Sequence, residues 1–181
     1  MMSELIPPVS VPEGQRGPWR VDRFEITEEM IKRDAFRMGR RVPQPGIITR
    51  LMHHGEVVMS DTKAERSDHF AFVMRATGHV LINGLGLGMC LGAVLRKPEV
   101  ERVTVVEVDD HVIHLVAPTY QGDPRVEIVA ASAFDYRPPR GVRYGAVWHD
   151  IWTYICTDNL DEMTRLDRIG MRAFYGRRLV G

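Results

Sequence analysis

The second half of the chain alternates predominantly apolar runs with helix-like segments. The apolar runs are GHVLING at 78–84, VTVVEV at 103–108, VEIVAA at 126–131 and RYGAVWHD at 143–150. The helix-like segments MCLGAVLRK and HVIHLVAP separate the first three runs. Apolar runs of this kind are typical of strands buried on both faces of a parallel sheet. The order therefore predicts an α/β fold, a three-layer sandwich with a mainly parallel sheet and right-handed crossovers.

The first half of the chain predicts smaller elements in front of this sheet. The first eighteen residues are rich in proline and poor in core-type residues, which is typical of an extended arm. The segment EEMIKRDAFRM lies between Thr27 and Gly39, and these two residues predict the start and the end of a short helix. Two β-favouring runs flank His54-Gly55 in IITRLMHHGEVVMSD and predict a hairpin.

Two further helices complete the plan. Thr62 and Glu65 have the capping-box spacing and predict a helix that runs to about Ala76. The segment TDNLDEMTRLDRIGMRAF predicts a last long helix, after which YGRRLVG has room for a stub of a strand. We therefore expect an amino-terminal arm and helix over 1–46, and a minimal, C-terminally short Rossmann-like domain over 47–181 that includes the hairpin. The hairpin or a second copy of the chain, in a homo-oligomer, would cover the open sheet edge.

Composition narrows the class of protein. The 181 residues carry 24 Lys and Arg against 24 Asp and Glu, and this zero net charge disfavours a protein that coats nucleic acid. The two cysteines lie in unrelated segments, which argues against a disulfide framework and for a reducing compartment. No apolar run approaches the roughly 20 residues of a membrane helix, and no signal-peptide pattern opens the chain. We expect a cytoplasmic protein that does not bind membranes.

The motif that carries chemistry is the glycine loop between the first apolar run and its helix. Gly84, Gly86 and Gly88 occupy alternate positions in VLINGLGLG. Glycines let the backbone turn tightly and approach a ligand closely, and the amides that open the next helix carry a partial positive charge. The residues alone leave two interpretations open: a ligand-binding loop, or a turn that only permits close packing.

An acidic residue stands at the end of the second apolar run. Glu107 ends the strand that follows the glycine loop, at the carboxyl edge of the predicted sheet. A carboxylate in that place can accept hydrogen bonds from both hydroxyls of a ribose. The alternative is a strand-end charge that reaches water, with Asp109 capping the next helix. We interpret Glu107 as ribose-binding, and we expect its removal to affect folding little.

The glycine spacing discriminates between adenosine ligands. The dinucleotide fingerprint is GxGxxG, whereas this loop reads GxGxG and has Met89 at the place of the third glycine. A bulky side chain at that point disfavours a pyrophosphate, and hence NAD. S-adenosylmethionine carries no phosphate and is the favoured ligand.

The stretch VLINGLGLGMCLGAVLRKPEVERVTVVEVDDHVIHL resembles spermidine synthases and the related class I S-adenosylmethionine-dependent methyltransferases. The similarity includes ERSDHFAF upstream and both DPRVEIVAASAFDY and RYGAVWHD downstream, over about residues 47–155. The resemblance implies a Rossmann-like fold that binds S-adenosylmethionine or decarboxylated S-adenosylmethionine. The implied donor-binding residues are Gly84, Gly86, Gly88 and Glu107, with Ser132 and Ala133 beside the adenine.

The resemblance also implies a catalytic residue and an acceptor site. Asp150 stands where polyamine synthases keep the aspartate that takes a proton from the attacking amine. Trp152 and Tyr154 follow at the carboxyl end of the fourth strand, where open α/β sheets bind ligands, and we assign them as acceptor-binding walls. The acceptor is a small molecule or of unknown class.

Departures from the polyamine synthase pattern favour methyl transfer. Leu87 and Thr153 stand where aminopropyltransferases carry aspartates, and Phe72 and Val73 replace a tyrosine and a polar residue. A polyamine is a polycation, and this pocket has lost most of the acids that would bind it. We predict a methyltransferase of unknown acceptor. The alternatives are an aminopropyltransferase and a catalytically silent binding or assembly module with the same fold.

Two other site classes are disfavoured. His111 and His114 are one helical turn apart, but no carboxylate or cysteine stands at a matching spacing, so no metal site is predicted. The last segment has a basic bias that allows contact with nucleic acid, although a solvated helix end is the favoured interpretation.

Overall fold

The computed structural model describes residues 5–38, 43–151, 161–162 and 164–166, which form two four-stranded sheets. The antiparallel sheet has the order β1-β2-β3-β4, with strands Gly14–Arg16, Trp19–Ile26, Gly46–His53 and Glu56–Ser60. The parallel sheet contains Gly78–Asn83 (β5), Val100–Glu107 (β6), Val126–Ala130 (β7) and Ala146–His149 (β8). The helices are Glu28–Met38 (α1), Lys63–Asp68 (α2), Phe70–Arg75 (α3), Met89–Leu95 (α4) and Asp110–Val116 (α5).

The parallel sheet has the order β7-β6-β5-β8, and it confirms the predicted α/β fold. The chain steps in one direction from β5 through β6 to β7, so right-handed crossovers place α4 and α5 on the same face. It then returns to pair β8 with the free side of β5. The glycine loop and the end of β8 therefore meet at the carboxyl edge of the sheet.

Alternation along the parallel strands builds a core on each face of the sheet. The face toward α4 and α5 is formed by Val80, Ile82, Val103, Val105 and Ala146. The opposite face is formed by Leu81, Val106 and Tyr144, with Val147 packed against them. In the described part of the chain, segment 131–145 covers this second face, and its Tyr136 hydroxyl lies 2.7 Å from the hydroxyl of Tyr144.

The antiparallel sheet is larger than the predicted hairpin. The hairpin of β3 and β4 is confirmed, and its turn residues His54 and Gly55 both have positive φ, as two-residue hairpin turns require. Strands β1 and β2 are not predicted by the sequence pattern, because charged residues interrupt the apolar alternation of WRVDRFEI. In the folded sheet Asp22 forms an ion pair with a neighbouring strand: its carboxylate lies 2.9 Å from the guanidinium of Arg50 in β3. Strand β2, which lies before the predicted domain boundary at residue 46, pairs with β3, which lies after it. The division into two domains at that point stays a prediction.

The predicted amino-terminal arm is packed against the rest of the protein. Ile6, Val9 and Val11 are buried in the main core. The Asp61 carboxylate fixes the arm, because it accepts hydrogen bonds from the amide of Val9 at 3.0 Å and from that of Thr49 at 2.7 Å. The arm therefore contributes core residues despite its irregular backbone.

The helix predicted from Thr62 to Ala76 starts as expected but is not continuous. The Thr62 hydroxyl accepts a hydrogen bond from the Glu65 amide at 3.4 Å, which confirms the cap. The single helix is wrong: the chain forms α2 and α3, and His69 separates them. His69 is buried, and the break directs its ring toward Trp148.

Several predicted features lie outside the described residues. These are the helix end at Gly39, the acceptor walls Trp152 and Tyr154, the replaced aspartate position at Thr153, most of the last helix and the strand stub at 175–181. None of the described helices has the length and apolar character needed to cross a lipid bilayer.

Asp109 caps α5, as predicted, and also joins this helix to the antiparallel sheet. Its carboxylate accepts hydrogen bonds from the amides of His111 at 2.8 Å and Val112 at 3.4 Å, and from the indole of Trp19 at 2.7 Å. Burial opposes the charge, but these donors outweigh it and lower the pKa of Asp109. The stabilisation is thus present above the ordinary value of 3.8 and is lost as the pH falls through the folded-state pKa.

Asp109→Ala is expected to lower the free energy of unfolding by roughly 1–3 kcal/mol at pH 7, because a cap and a charge-assisted hydrogen bond are both lost. Urea denaturation at pH 7 and at pH 3 measures the effect, and the deficit should shrink at the lower pH. Asp110→Ala is the matched control, since Asp110 is exposed in the same turn and should change stability by less than about 0.5 kcal/mol. Equal losses in the two variants would contradict the cap.

Candidate functional site

The glycine loop joins β5 to α4, as the sequence predicts. Gly84, Gly86 and Gly88 have φ angles of +97°, +49° and +71°. Side chains rarely adopt this left-handed region, so the path of the loop requires glycine at all three positions. Gly88 is the last residue before α4, and its carbonyl accepts the first helical hydrogen bond, from Gly92 at 2.8 Å.

Atoms of the protein itself lie where each glycine side chain would begin. A Cβ on Gly84 would lie 2.2 Å from the carbonyl oxygen of Asp150. A Cβ on Gly88 would lie 2.3 Å from the ring of Tyr120, and one on Gly86 would lie 2.7 Å from the thioether of Met59. Close packing is therefore a sufficient reason for the three glycines, and their role toward a ligand stays a prediction.

Tyr120 is held firmly against the glycine loop. Its hydroxyl donates a hydrogen bond to the carbonyl of Leu87 at 3.3 Å. Its ring also packs on Gly92, one helical turn beyond Gly88. Burial raises the pKa of Tyr120 to about 12, so the phenol stays neutral at physiological pH. Tyr120 therefore fixes the loop against the start of α4.

Glu107 lies at the carboxyl end of β6, directly beside the glycine loop. One carboxylate oxygen, Oε2, accepts a hydrogen bond from the Leu85 amide at 2.8 Å. The other, Oε1, accepts bonds from the amides of Val108 at 2.8 Å and Asp109 at 2.9 Å. The expected placement beside the loop is thus confirmed. The expected exposure of this carboxylate to a cleft is wrong, because Glu107 is buried and accepts hydrogen bonds from three main-chain amides. We therefore expect its removal to destabilise the fold.

The residues around Glu107 form a mixed apolar and polar surface. Val108 follows it and is 71% exposed, which is unusual for a large apolar residue at the end of a buried strand. The next strand ends alongside, since the Ala131 amide donates to the Glu107 carbonyl at 3.0 Å. Ser132 and Ala133 follow immediately; the Ser132 hydroxyl accepts a hydrogen bond from the Phe134 amide at 3.2 Å, and Ala133 is buried.

Asp150 lies on the other side of the glycine loop. Its amide donates to the Asn83 carbonyl at 2.7 Å, which continues the β5–β8 pairing to the start of the loop. The side chain is half-buried, and its electrostatic partners are His69, Asp68 and the indole of Trp148. The predicted proton-accepting group is therefore beside the loop, although its catalytic role stays a prediction.

The environment of Asp150 shifts the pKa values of two groups. Burial raises the pKa of Asp150, and the nearby His69 opposes that rise. Trp148 also favours the charged form, although its buried indole N–H makes no hydrogen bond of good geometry within the described part of the chain. Burial lowers the pKa of His69, and the charge of Asp150 opposes this shift in turn. Perturbed pKa values of this kind mark His69 and Asp150 as candidate functional groups.

Aromatic rings and a buried thiol lie beside this pair. The rings of His69 and Trp148 lie 5.3 Å apart, and those of Phe72 and Trp148 lie 5.0 Å apart. The thiol of Cys90 is buried, and its pKa is raised by burial and by Asp150. This low-dielectric setting explains why burial has the largest effect on the pKa of both His69 and Asp150.

A polar pair lies on the opposite face of the same edge. The side-chain nitrogen of Asn83 lies 2.8 Å from Nδ1 of His149, while its buried oxygen Oδ1 has no hydrogen-bond partner among the described residues. Unpaired acceptors of this kind are rare in protein interiors, so Oδ1 of Asn83 is a candidate to accept a hydrogen bond from a bound water or ligand.

Four residues of this edge are not found by sequence reasoning: Met59, His69, Val108 and Tyr120. Met59 and Tyr120 come from segments distant in the chain. The one local signal is Gly92, one turn after Gly88, because a glycine at this position leaves room for the Tyr120 ring. Among the described residues no group of three metal-ligating side chains occurs. The Nδ1 atom of His114 lies 2.6 Å from the carbonyl oxygen of Asp110.

Comparison with solved structures defines the fold. Spermidine synthase from Thermotoga maritima is 24% identical with a TM-score of 0.52, over 90% of this chain and 53% of that one. A spermidine synthase in complex with the transition-state analogue AdoDATO is 23% identical with a TM-score of 0.52, over 92% and 53%. The N-methyltransferase NodS from Bradyrhizobium japonicum WM9 is 14% identical with a TM-score of 0.50, over 63% and 64%. No protein-family model and no curated protein matches the chain.

These similarities place the chain in a fold class. It has the Rossmann-like fold shared by class I S-adenosylmethionine-dependent methyltransferases and spermidine synthases. The chain spans about half the length of the spermidine synthases it matches. Because that match covers 90% of this chain, it extends into the amino-terminal antiparallel sheet.

Proposed function

We propose that this protein is an S-adenosylmethionine-dependent transferase that binds the adenosyl group of its donor between the glycine loop and Glu107. The observation that carries the proposal is the buried Glu107 carboxylate, which lies at the carboxyl end of β6 and bonds the loop at Leu85. The fold alone does not assign a donor. The position of an acid at this edge supports an adenosine ligand.

The ribose end of the site fits such a ligand. Oε2 of Glu107 takes one hydrogen bond from Leu85, and a carboxylate oxygen can accept a second one, from a ribose hydroxyl. The exposed side chain of Val108 offers an apolar surface to a flat base. The Ser132 hydroxyl accepts a bond from the chain and keeps its own O–H to donate to a ring nitrogen.

Methyl transfer is the proposed reaction. A bound donor supplies a methyl group already activated on a sulfonium, so the protein mainly aligns the acceptor with it. Asp150 would accept the proton that the attacking nitrogen or oxygen loses. Protonated His69 favours the charged form of Asp150, and burial lowers the pKa of His69 itself, so this support is lost as the pH rises. Trp148 packs against His69 on one side and Phe72 on the other. Trp152 and Tyr154, two to four residues beyond Asp150, are the proposed walls for the acceptor.

Aminopropyl transfer is the second candidate. The likeness to spermidine synthases extends over 90% of the chain, whereas the likeness to the methyltransferase NodS covers 63%. Against it, Leu87 is fully buried at the position where the resemblance expects an aspartate for the donor amine. Incubation with decarboxylated S-adenosylmethionine and a diamine tests this candidate, because only an aminopropyltransferase releases 5′-methylthioadenosine and a longer polyamine.

Donor binding is the first test of the proposal. Isothermal titration and thermal shift with S-adenosylmethionine and S-adenosylhomocysteine should show binding of both, with NAD as the negative control. Each ligand at 100 times its Kd should stabilise the fold by about 2.7 kcal/mol. Absence of heat and of a thermal shift with both ligands would overturn the proposal and favour a silent module.

Asp150→Asn is expected to raise the melting temperature at pH 8 and to leave it nearly unchanged at pH 4. Since burial raises the pKa of Asp150, its contribution to stability is complete below the ordinary value of 3.8 and is lost as the pH rises through the folded-state pKa. Above pH 7 His69 is neutral and no longer offsets the buried charge. The same variant should slow methyl transfer by roughly 10²–10⁴-fold.

Asp135→Asn is the matched control, because Asp135 is exposed. Its melting temperature should follow the wild-type profile at every pH. A stability gain for Asp150→Asn that does not change with pH, or a loss at pH 8, would contradict a carboxylate at residue 150 whose pKa is raised by burial.

A further inference from the structure

The side chain of Met59 reaches from β4 into the glycine loop. A Cβ on Gly86 would lie 2.7 Å from both the sulfur and the terminal methyl of Met59. The amide of Leu87 donates a hydrogen bond to that sulfur at 3.3 Å. A side chain of the antiparallel sheet thus takes a main-chain donor of the loop that the proposed function assigns to the ligand.

A β-bulge directs Met59 toward the loop. Strands β3 and β4 pair His53 with Glu56 and Met52 with Val57, but then Leu51 with Met59, so Val58 is an extra residue. Without the bulge Met59 would pair with Arg50 and point to the opposite face of the sheet. With it, Met59 shares the face of the buried Leu51, which belongs to the main core. Bulges next to binding sites commonly redirect a side chain in this way.

The backbone of Met59 is fixed, whereas its side chain is adaptable. The next residue, Ser60, donates its amide to the Glu65 carboxylate at 2.8 Å, and Asp61 anchors the arm and β3. Methionine has three rotatable bonds, and a thioether is a weak hydrogen-bond acceptor. The side chain can therefore leave the loop at low cost while its Cα stays in place.

The place that Met59 fills matches one part of an adenosyl donor. A ribose bound through its 2′ and 3′ hydroxyls to Glu107 carries its 5′ substituent on the far side of the ring. Glu107 accepts a hydrogen bond from the Leu85 amide, and Met59 covers the next part of the loop, Gly86 and Leu87. The thioether of Met59 thus lies where the sulfur and amino-acid tail of a donor would approach the loop.

We propose that Met59 is a specificity-determining residue, which competes with the 5′ tail of the donor for Gly86 and the Leu87 amide. The proposal rests on the function proposed above. Ligands with an amino-acid tail bind only when the Met59 side chain changes rotamer and leaves the loop. An adenosine thioether without this tail, such as 5′-methylthioadenosine, binds with Met59 in place. The residue therefore lowers affinity for tailed ligands without affecting the ribose anchor.

Calorimetric titration of wild type and Met59→Ala with S-adenosylhomocysteine and with 5′-methylthioadenosine tests the inference. In Met59→Ala the affinity for S-adenosylhomocysteine should rise at least tenfold, and that for 5′-methylthioadenosine should change less than threefold. Met59→Val keeps a strand-forming residue in case the alanine variant does not fold, and the same change in ratio is expected. Met74→Ala is the control, because Met74 is largely exposed on α3.

The outcomes separate the inference from the function on which it rests. A ratio of the two affinities that stays within threefold of wild type, while both ligands bind, overturns the role of Met59 alone. Failure of both ligands to bind wild type and both Met59 variants overturns the adenosyl site itself, and the inference with it.

Discussion

Glu107→Ala is expected to lower the free energy of unfolding by roughly 3–6 kcal/mol, because three amides lose a charged acceptor in a buried place. These amides belong to Leu85 in the glycine loop and to Val108 and Asp109 after β6. Urea denaturation measures the loss. In the folded fraction, studied at low temperature, affinity for S-adenosylhomocysteine should fall roughly ten-fold to a few hundred-fold.

Two variants make this result interpretable. Glu101→Ala removes an exposed glutamate from the same strand and should change stability by less than about 0.5 kcal/mol. Glu107→Gln keeps one acceptor oxygen and should lose less stability than the alanine variant. If Glu107→Gln binds S-adenosylhomocysteine as tightly as wild type does, the carboxylate only stabilises the glycine loop and does not bind ribose.

Gly84→Ala is expected to cost at least about 4 kcal/mol of stability, which is a large part of the 5–15 kcal/mol typical of a domain. Its Cβ would lie 2.2 Å from the carbonyl oxygen and 2.8 Å from the carbonyl carbon of Asp150. Both are backbone atoms at the end of β8 and cannot move away as a flexible side chain would. The φ of +97° adds backbone strain. Thermal and urea unfolding measure the loss.

Two other glycines separate the clash from the strain. A Cβ on Gly78, where φ is +62°, meets no described atom within 4 Å, so Gly78→Ala isolates the strain, about 1–2 kcal/mol. At Gly122 a Cβ would not clash with any described atom and φ is not positive, so Gly122→Ala should change stability by less than about 1 kcal/mol. A Gly84→Ala variant as stable as Gly78→Ala would show that Asp150 does not pack against the loop.

Local signals located most of the parallel sheet. Each buried strand is an apolar run with a clear end, and Gly88 and Asp109 mark helix starts through short-range backbone chemistry. The antiparallel sheet was only half predicted. In β2 the charges of Asp22 and Arg23 are satisfied by residues from other segments, Arg50 and Thr49, and no pattern within the strand reveals those partners.

The candidate site divides in the same way. Glu107 could be placed beside the glycine loop because the carboxyl ends of parallel strands share one edge. Its three amide bonds could not be predicted, because they depend on the path of the loop in space. His69 could not be found either, since the break between α2 and α3 that turns it toward Trp148 has no local signal.

The sequence by itself determined the α/β class, the strand order along the chain and the position of the glycine loop, because each depends on residues within one or two elements. Tertiary structure alone decided what the loop touches. Asp150 meets Gly84, Met59 meets Gly86 and Tyr120 meets Gly88. These three partners come from the residue after β8, from β4 and from the turn after α5. Contacts between segments so distant in the chain arise from sheet pairing, from one bulge and from the packing of the turn after α5, which short-range preferences of the residues do not encode.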